Sequence, residues 1–334
     1  MKKILPFETS PYLDLYQYYA FSFGILQGNS NTYPWIYSNF IQYDINGEDI
    51  WLEYRKAFSR THIHEGNQDY PREGILDSIK NCILNDYYVL GYCDEFYIPQ
   101  KMVYGKTHFL HDFLIYGFDD DTKTLYSFGY VIGKNSKYQV CKPFTISYND
   151  MLQSIIKAHY HDCWTEYFYK ITINPNLDLS FNRMRFCDEL YQYIKQPVLW
   201  VNEPINGPSG ICNWKYLFDL ISSENINSIP TTVTFIKKSN QYVKMMFDRL
   251  KYVNEHEISI PDLVENYSIV YEKSNRVVTM AMMYRITLKK ELLEDIKNIL
   301  KEIFYDEHII LEKLFDRFVI QHSELIWNRE NLMS

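Results

Sequence analysis

Residues 87–130 read YYVLGYCDEFYIPQKMVYGKTHFLHDFLIYGFDDDTKTLYSFGY, and this stretch decides the fold of the first half of the chain. It opens with YYVLGY, a short apolar and aromatic run that is typical of a buried strand leading into Cys93 and Asp94. The runs HDFLIYGF and TLYSFGYV follow it, and the turn sequence DDDTK between them predicts an antiparallel hairpin. KYQVCKPFTI, residues 137–146, predicts one more strand. Together these runs indicate a small antiparallel sheet.

Helical patterns flank the sheet region on both sides. Ser10-Pro11 is typical of an N-cap followed by a first-turn proline, and it predicts a helix that ends at Gly28. Apolar residues cover nearly every face of this helix, so we expect it to be buried. A helix over residues 72–84 is predicted before the YYVLGY strand, and another over residues 148–158 follows the last strand.

The periodicity of the second half of the chain is helical. Apolar residues recur there at spacings of three and four, as in VKMMFDRLKYV. The turn-rich sequence NPNLD, residues 174–178, separates the two patterns. The sequence therefore predicts an α+β protein with two domains. Residues 1–175 form a domain with a small antiparallel sheet, and residues 176–334 form a mainly helical C-terminal domain.

Composition excludes several classes of protein. The formal charge of -8 and the absence of a basic stripe disfavour a nucleic-acid partner. No run approaches the roughly 18 apolar residues of a membrane span, and the apolar part of MKKILPFETS is too short for a signal peptide. Six scattered cysteines without a C-x-x-C pair are typical of reduced thiols. We expect a cytoplasmic protein without a membrane partner, and a homodimer is compatible with this composition.

The 87–130 stretch resembles the strand, loop and hairpin of papain-like acyl-transfer and peptidase domains. These include the double-glycine peptidases that process bacteriocins and the butirosin biosynthesis protein H-like family. In those families a histidine opens a strand that ends in glycine and an acidic turn. In this chain His111 stands six residues before Gly117, and Phe118 and Asp119 follow. By this resemblance His111 takes the general-base position, and the helical second half is similar to the family's C-terminal region.

The resemblance implies a reaction as well as a fold. It implies transfer of an acyl group from a carrier-protein thioester to an amine through an acyl-cysteine, whereas some papain-like relatives hydrolyse peptides. The expected partners are an acyl or peptidyl carrier protein and a small-molecule amine, and no cofactor is expected. Such chemistry needs a thiolate at a helix N-terminus, with an imidazole in reach to take its proton.

The chain departs from the family pattern at two of the three catalytic positions. The expected cysteine falls near Leu15, which cannot be a nucleophile. The relatives often carry Asp or Asn at the end of the second hairpin strand, where this chain has Phe128-Gly129. Cys93 ends a strand that should neighbour the strand of His111, so it is the thiol we expect nearest the imidazole, although buried cysteine often acts only as a small hydrophobe.

Three alternatives stay open on these residues. The protein is an amide-forming acyltransferase, or a pseudoenzyme that keeps the fold as a binding or scaffolding partner, or an enzyme in which Cys93 acts from the neighbouring strand. The choice between hydrolysis and amide formation also stays open.

A metal site is a competing interpretation of the histidines. Closely spaced imidazoles can ligate zinc, and i,i+2 histidines on a strand share one face. No H-E-x-x-H or cysteine-rich zinc pattern accompanies them, so the sequence favours no metal. The candidate ligands are His62, His64, Glu65, His108, His111, His159 and His161.

Overall fold

The chain forms two compact units in the computed structural model, which describes residues 1–14, 16–41, 57–63, 74–132, 139–158, 168–195, 211–222 and 229–322. The first unit comprises Met1–Thr32 and Tyr54–Asp178, and the second comprises Tyr33–Glu53 and Leu179–Ser334. The division after residue 178 lies close to the one predicted after residue 175. The structure differs from the prediction in giving residues 33–53 to the second unit.

The first unit is built on an antiparallel sheet that has seven strands within the described residues. The strand order is β2-β7-β3-β4-β5-β6, and β1 also pairs with β4. The strands are β1 (Lys2–Ile4), β2 (Phe58–His62), β3 (Tyr88–Asp94), β4 (Leu110–Asp119), β5 (Thr124–Ile132), β6 (Gln139–Ser147) and β7 (Tyr169–Ile173). The predicted antiparallel sheet and helical C-terminal region are therefore confirmed.

The predicted hairpin is the pair β4 and β5. Asp119 ends β4, and its Oδ1 accepts hydrogen bonds from the backbone N–H groups of Asp121 and Thr122, which closes the turn. Strand β1 pairs with the far half of β4, beyond the end of β3. This approach requires a glycine at Gly117, because a Cβ atom there would lie 2.8 Å from the carbonyl oxygen of Lys3. The sequence did not predict β1.

The helices divide between the two units and are numbered in chain order. In the first unit they are α1 (Gln17–Gln27), α3 (Ile75–Leu84) and α4 (Tyr148–Ile156). In the second unit they are α2 (Tyr33–Ser38), α5 (Arg183–Lys195), α6 (Cys212–Ser222), α7 (Ile229–His256), α8 (Pro261–Thr287) and α9 (Glu291–Gln321). The change from strand to helical periodicity along the sequence is thus found in the structure.

Helix α1 is buried as predicted, but it begins later than Ser10-Pro11 suggests. Most of its residues have little exposed surface, and it ends at Gln27 before Gly28. The helix starts only at Gln17, and two residues before it have partners of another kind. The hydroxyl of Tyr130 donates to the backbone carbonyl of Asp14, 2.9 Å away. The backbone N–H of Tyr12 donates to Oε1 of Gln27, 2.7 Å away. The N-cap prediction at Ser10 was therefore wrong.

Strand β4 runs through the core of the first unit. Phe113, Leu114, Ile115 and Phe118 are buried there, together with side chains from α1, α3 and α4. Fully burying one such side chain stabilises the fold by about 1.5–3 kcal/mol. The strand is therefore a rigid base for His111 and Asp112, the two polar residues that follow Leu110.

Residues 33–41 belong to the second unit because α5 and α7 hold their backbone. The buried guanidinium of Arg249 donates from Nε to the carbonyl of Tyr37 and from an Nη to the carbonyl of Asn39, both at 2.8 Å. Glu189 accepts a hydrogen bond from the backbone N–H of Ile41 at 2.8 Å. These are tertiary contacts, so local sequence pattern could not reveal them.

Within the described residues, the helices all fall short of the length and apolar character that a membrane crossing requires.

Candidate active site

The ring of His111 is held by a buried carboxylate. Its Nδ1 lies 3.0 Å from Oε1 of Glu95, and the same oxygen is 2.8 Å from Nζ of Lys101. The side chains of Glu95 and Lys101 are each only 4% exposed, whereas that of His111 is 33% exposed. Burial by itself acts to raise the pKa of Glu95, but the hydrogen bond from His111 and the Lys101 charge together lower it below its usual range. Glu95 is therefore a fixed anionic partner for the imidazole.

Asp94 places Glu95 beside the histidine. Strand β3 ends at Asp94, and a 3₁₀ turn, Glu95–Tyr97, follows. One carboxylate oxygen of Asp94 accepts from the backbone N–H groups of Phe96 and Phe109, at 3.0 and 3.1 Å. The other oxygen lies 2.6 Å from Nδ1 of His108. These bonds tie the end of β3 to the start of β4, so the turn that carries Glu95 is fixed against the strand that carries His111.

Asp112 lies on the other side of the imidazole. Its Oδ1 is 3.4 Å from Nε2 of His111 and 3.0 Å from the amide Nε2 of Gln17. The same amide also donates to the backbone carbonyl of Asp112 at 2.6 Å, and Oε1 of Gln17 accepts from the backbone N–H of Tyr130 at 2.9 Å. The first residue of α1 thus connects β4 with β5. Burial raises the pKa of Asp112, and His111 and Gln17 offset part of this effect.

Gly129 explains why no carboxylate or amide side chain stands at the end of the second hairpin strand. Its φ of +150° favours glycine, and a Cβ atom there would lie 2.3 Å from Oε1 of Gln17. The space that a larger residue would occupy is taken by Gln17. The Nδ1 atom of His111 contacts the Glu95 carboxylate, which comes from the turn after β3 and not from β5.

Cys93 lies opposite His111 in the β3–β4 ladder, so the prediction that their two strands are neighbours is confirmed. The thiol is nevertheless only 2% exposed. Burial raises its pKa far above that of an ordinary thiol, and the nearby Lys101 offsets only part of this effect. A thiol attacks as its thiolate, so this environment argues against Cys93 as the nucleophile that the third alternative requires.

Labelling with iodoacetamide tests the state of Cys93. At neutral pH we expect it to react at least about tenfold more slowly than Cys212, because alkylation follows the thiolate fraction and accessibility. Cys212 is the matched comparison, since it is a partly exposed thiol of the same chain. Peptide mass spectrometry after timed quenching would give both rates. Labelling of Cys93 as fast as Cys212 would restore it as a candidate nucleophile.

Several sequence candidates lie outside the described residues. Leu15 is one, and His64, Glu65, His159 and His161 are others. Within the described residues, no group of three or more His, Cys, Asp or Glu side chains has a metal-binding arrangement.

The sequence interpretation missed four residues of the site: Gln17, Glu95, Lys101 and Asp112. The sequence carried a signal for two of them. Glu95 belongs to CDE, directly after a buried strand, and Asp112 belongs to HD, at the start of the next strand.

Comparison with protein-family models finds no match to the chain. Comparison with curated proteins likewise finds none. The chemistry around His111 and the resemblance of residues 87–130 are therefore the two grounds for a function.

Proposed function

We propose that the first unit is a papain-like domain that promotes transfer of an acyl group from a carrier-protein thioester to a small-molecule amine. His111 is the general base and acts on the amine itself. The observation that carries this proposal is a partly exposed imidazole whose Nδ1 is held by the buried Glu95 carboxylate. A base oriented by a fixed carboxylate is the arrangement that general-base catalysis uses. The papain-like fold and the carrier-bound acyl donor come from the resemblance.

The reaction proceeds by direct attack. The amine nitrogen attacks the thioester carbonyl carbon, and Nε2 of His111 takes one N–H proton. The C–S bond then breaks, and His111 returns the proton to the departing thiolate. The products are an amide and a free thiol. No thiol of the protein takes part, which agrees with the burial of Cys93.

Replacing Glu95 with glutamine tests the proposal. An acyl-N-acetylcysteamine thioester serves as donor and n-butylamine as acceptor, and amide formation is followed by mass spectrometry. We expect Glu95→Gln to lower kcat/KM at least about tenfold, as part of the roughly 10²- to 10⁴-fold that a general base contributes. Asp121→Asn is the control, because it also turns a carboxylate into an amide but at an exposed hairpin position.

Two results would contradict the proposal. One is a wild-type rate of amide formation no greater than that of the buffer. The other is a Glu95→Gln variant as active as wild type, since the histidine would then need no orienting partner.

A pseudoenzyme that binds its ligand without reaction is the second candidate function. The environment of His111 favours it. Within the described part of the chain, no thiol or hydroxyl group forms a hydrogen bond with the His111 ring. Nε2 faces Asp112 instead, at 3.4 Å. Saturable binding of the thioester or the amine without amide formation would identify this function.

A further inference from the structure

Helix α9 carries an exposed apolar stripe on its outer face. The side chains of Tyr305, Ile309 and Ile320 are 63%, 50% and 76% exposed. With 3.6 residues per turn, these three positions fall within about 60° of one another around the helix axis. The opposite face of the helix packs in the core, where Leu314 and Phe318 are fully buried. Exposed apolar residues that lie together among polar ones mark an interaction surface more often than scattered ones do.

Neighbouring helices of the second unit lie on both flanks of this stripe and leave it outermost. On one flank, Nζ of Lys273 in α8 is 2.8 Å from a carboxylate oxygen of Asp306. On the other flank, Nζ of Lys195 in α5 is 2.6 Å from a carboxylate oxygen of Glu312. Ile269 lies one turn before Lys273 and is 48% exposed, so it extends the apolar surface from α9 onto α8.

The charges within the stripe are complementary to those of a second, antiparallel copy. Residues 309–320 read IILEKLFDRFVI, in which Lys313 follows Ile309 by four residues and Asp316 precedes Ile320 by four. When two copies of α9 lie antiparallel about the midpoint of this segment, Ile309 of each faces Ile320 of the other. Lys313 of each then faces Asp316 of the other, and a two-fold axis makes both contacts twice. Parallel helices would instead place like charges against each other, which is repulsive.

The two charged side chains are accessible to such a partner. Both Lys313 and Asp316 are exposed. Lys313 forms no ion pair among the residues that the structure describes. Asp316 is close enough to Lys195 to act on it electrostatically, but that ammonium forms its ion pair with Glu312.

We propose that the outer face of α9 binds a second copy of this chain in an antiparallel, two-fold symmetric helix pair. Ile309 and Ile320 supply the apolar contacts, and the Lys313–Asp316 pairs set the direction and register of the two helices. The paired segment is about 18 Å long, which is short for a permanent dimer. A reversible dimer with a Kd in roughly the micromolar range is therefore expected. The dimer does not depend on the function proposed above.

Sedimentation velocity of the intact protein tests this pairing with two charge-reversed variants. Lys313→Asp leaves two aspartates in the stripe, and Asp316→Lys leaves two lysines. Wild type should form dimers at about 100 μM, and each variant alone should dimerise at least about tenfold more weakly, because like charges then face each other. An equimolar mixture of the two variants should recover the dimer, since each aspartate then faces a lysine. Lys289→Asp reverses an exposed lysine outside the stripe and should leave the dimer unchanged.

Three results would overturn the proposal. One is a wild-type protein that stays monomeric at this concentration, which would leave the stripe to a different partner. Another is a dimer that neither variant weakens, which would place the contact elsewhere on the surface. The third is a mixture of the two variants that stays monomeric. Recovery of the dimer in the mixture would also show that both variants are folded.

Discussion

Replacing His111 with alanine is expected to lower the rate of thioester aminolysis by about 10²- to 10⁴-fold, because the amine loses the group that takes its proton. The expected loss lies in kcat/KM, measured as amide formed from an acyl-N-acetylcysteamine thioester and n-butylamine. The ring is partly exposed and Glu95 keeps its Lys101 partner, so we expect the variant to remain folded.

Two control variants make this result specific. His256→Ala removes an exposed histidine of the second unit and should leave the rate unchanged. Cys93→Ser should retain most of the wild-type activity, because direct attack uses no protein thiol. A Cys93→Ser variant as inactive as His111→Ala would instead indicate an acyl-cysteine, and full activity of His111→Ala would exclude His111 as the base.

Replacing Glu307 with alanine is expected to lower the free energy of unfolding by about 3–5 kcal/mol. This carboxylate is buried in the second unit, where it accepts three hydrogen bonds, each from a different helix. Nε1 of Trp214 lies 2.5 Å away, the hydroxyl of Tyr193 lies 3.3 Å away, and the hydroxyl of Tyr267 forms a short hydrogen bond. Alanine removes the acceptor that α5, α6 and α8 share with α9.

Denaturant unfolding measures this loss, and Glu294→Ala is the control. Glu294 lies on the same helix but is exposed and pairs only with Lys297 among the residues that the structure describes. Its loss should cost less than about 1 kcal/mol. Equal stabilities of the two variants would mean that the three hydrogen bonds do not stabilise the unit.

The raised pKa of Glu307 also predicts how the stability of the protein changes with pH. Burial raises its pKa in the folded protein, and the hydrogen bonds from Tyr267, Trp214 and Tyr193 offset part of the increase. The folded state therefore holds this proton more tightly than the unfolded state, in which glutamate has a pKa of about 4.3. Stability from this group falls as the pH rises from that value through the raised pKa.

The pH effect is measured as the stability difference between wild type and Glu307→Gln, whose amide does not titrate. Relative to wild type, the glutamine variant should become more stable as the pH rises through this window. A constant difference between the two proteins across the window would contradict the prediction.

The sequence by itself determined the central strands of the sheet and the helical character of the second half. YYVLGYCD, HDFLIYGFD and TLYSFGYVI carry the aromatic and β-branched residues of strands, and the acidic turn between the last two sets their pairing. Apolar residues at three and four spacing likewise determined the helical second half. These patterns work because backbone geometry is periodic and the signal lies within one segment. The predicted start of α1 was wrong, since Gln27 accepts a hydrogen bond from the backbone N–H of Tyr12 and the Tyr130 hydroxyl donates to the carbonyl of Asp14.

Only the tertiary structure decided the site. Glu95 reaches His111 because a 3₁₀ turn folds back on the next strand, and Gln17 reaches Asp112 across 95 residues of sequence. Arg249 holds the backbone of residues 37 and 39 from a helix more than 200 residues away. A polar side chain in a sequence does not reveal which distant atom accepts its hydrogen bond. That choice follows from which buried groups have to be paired once the core has formed, and this is a property of the fold as a whole.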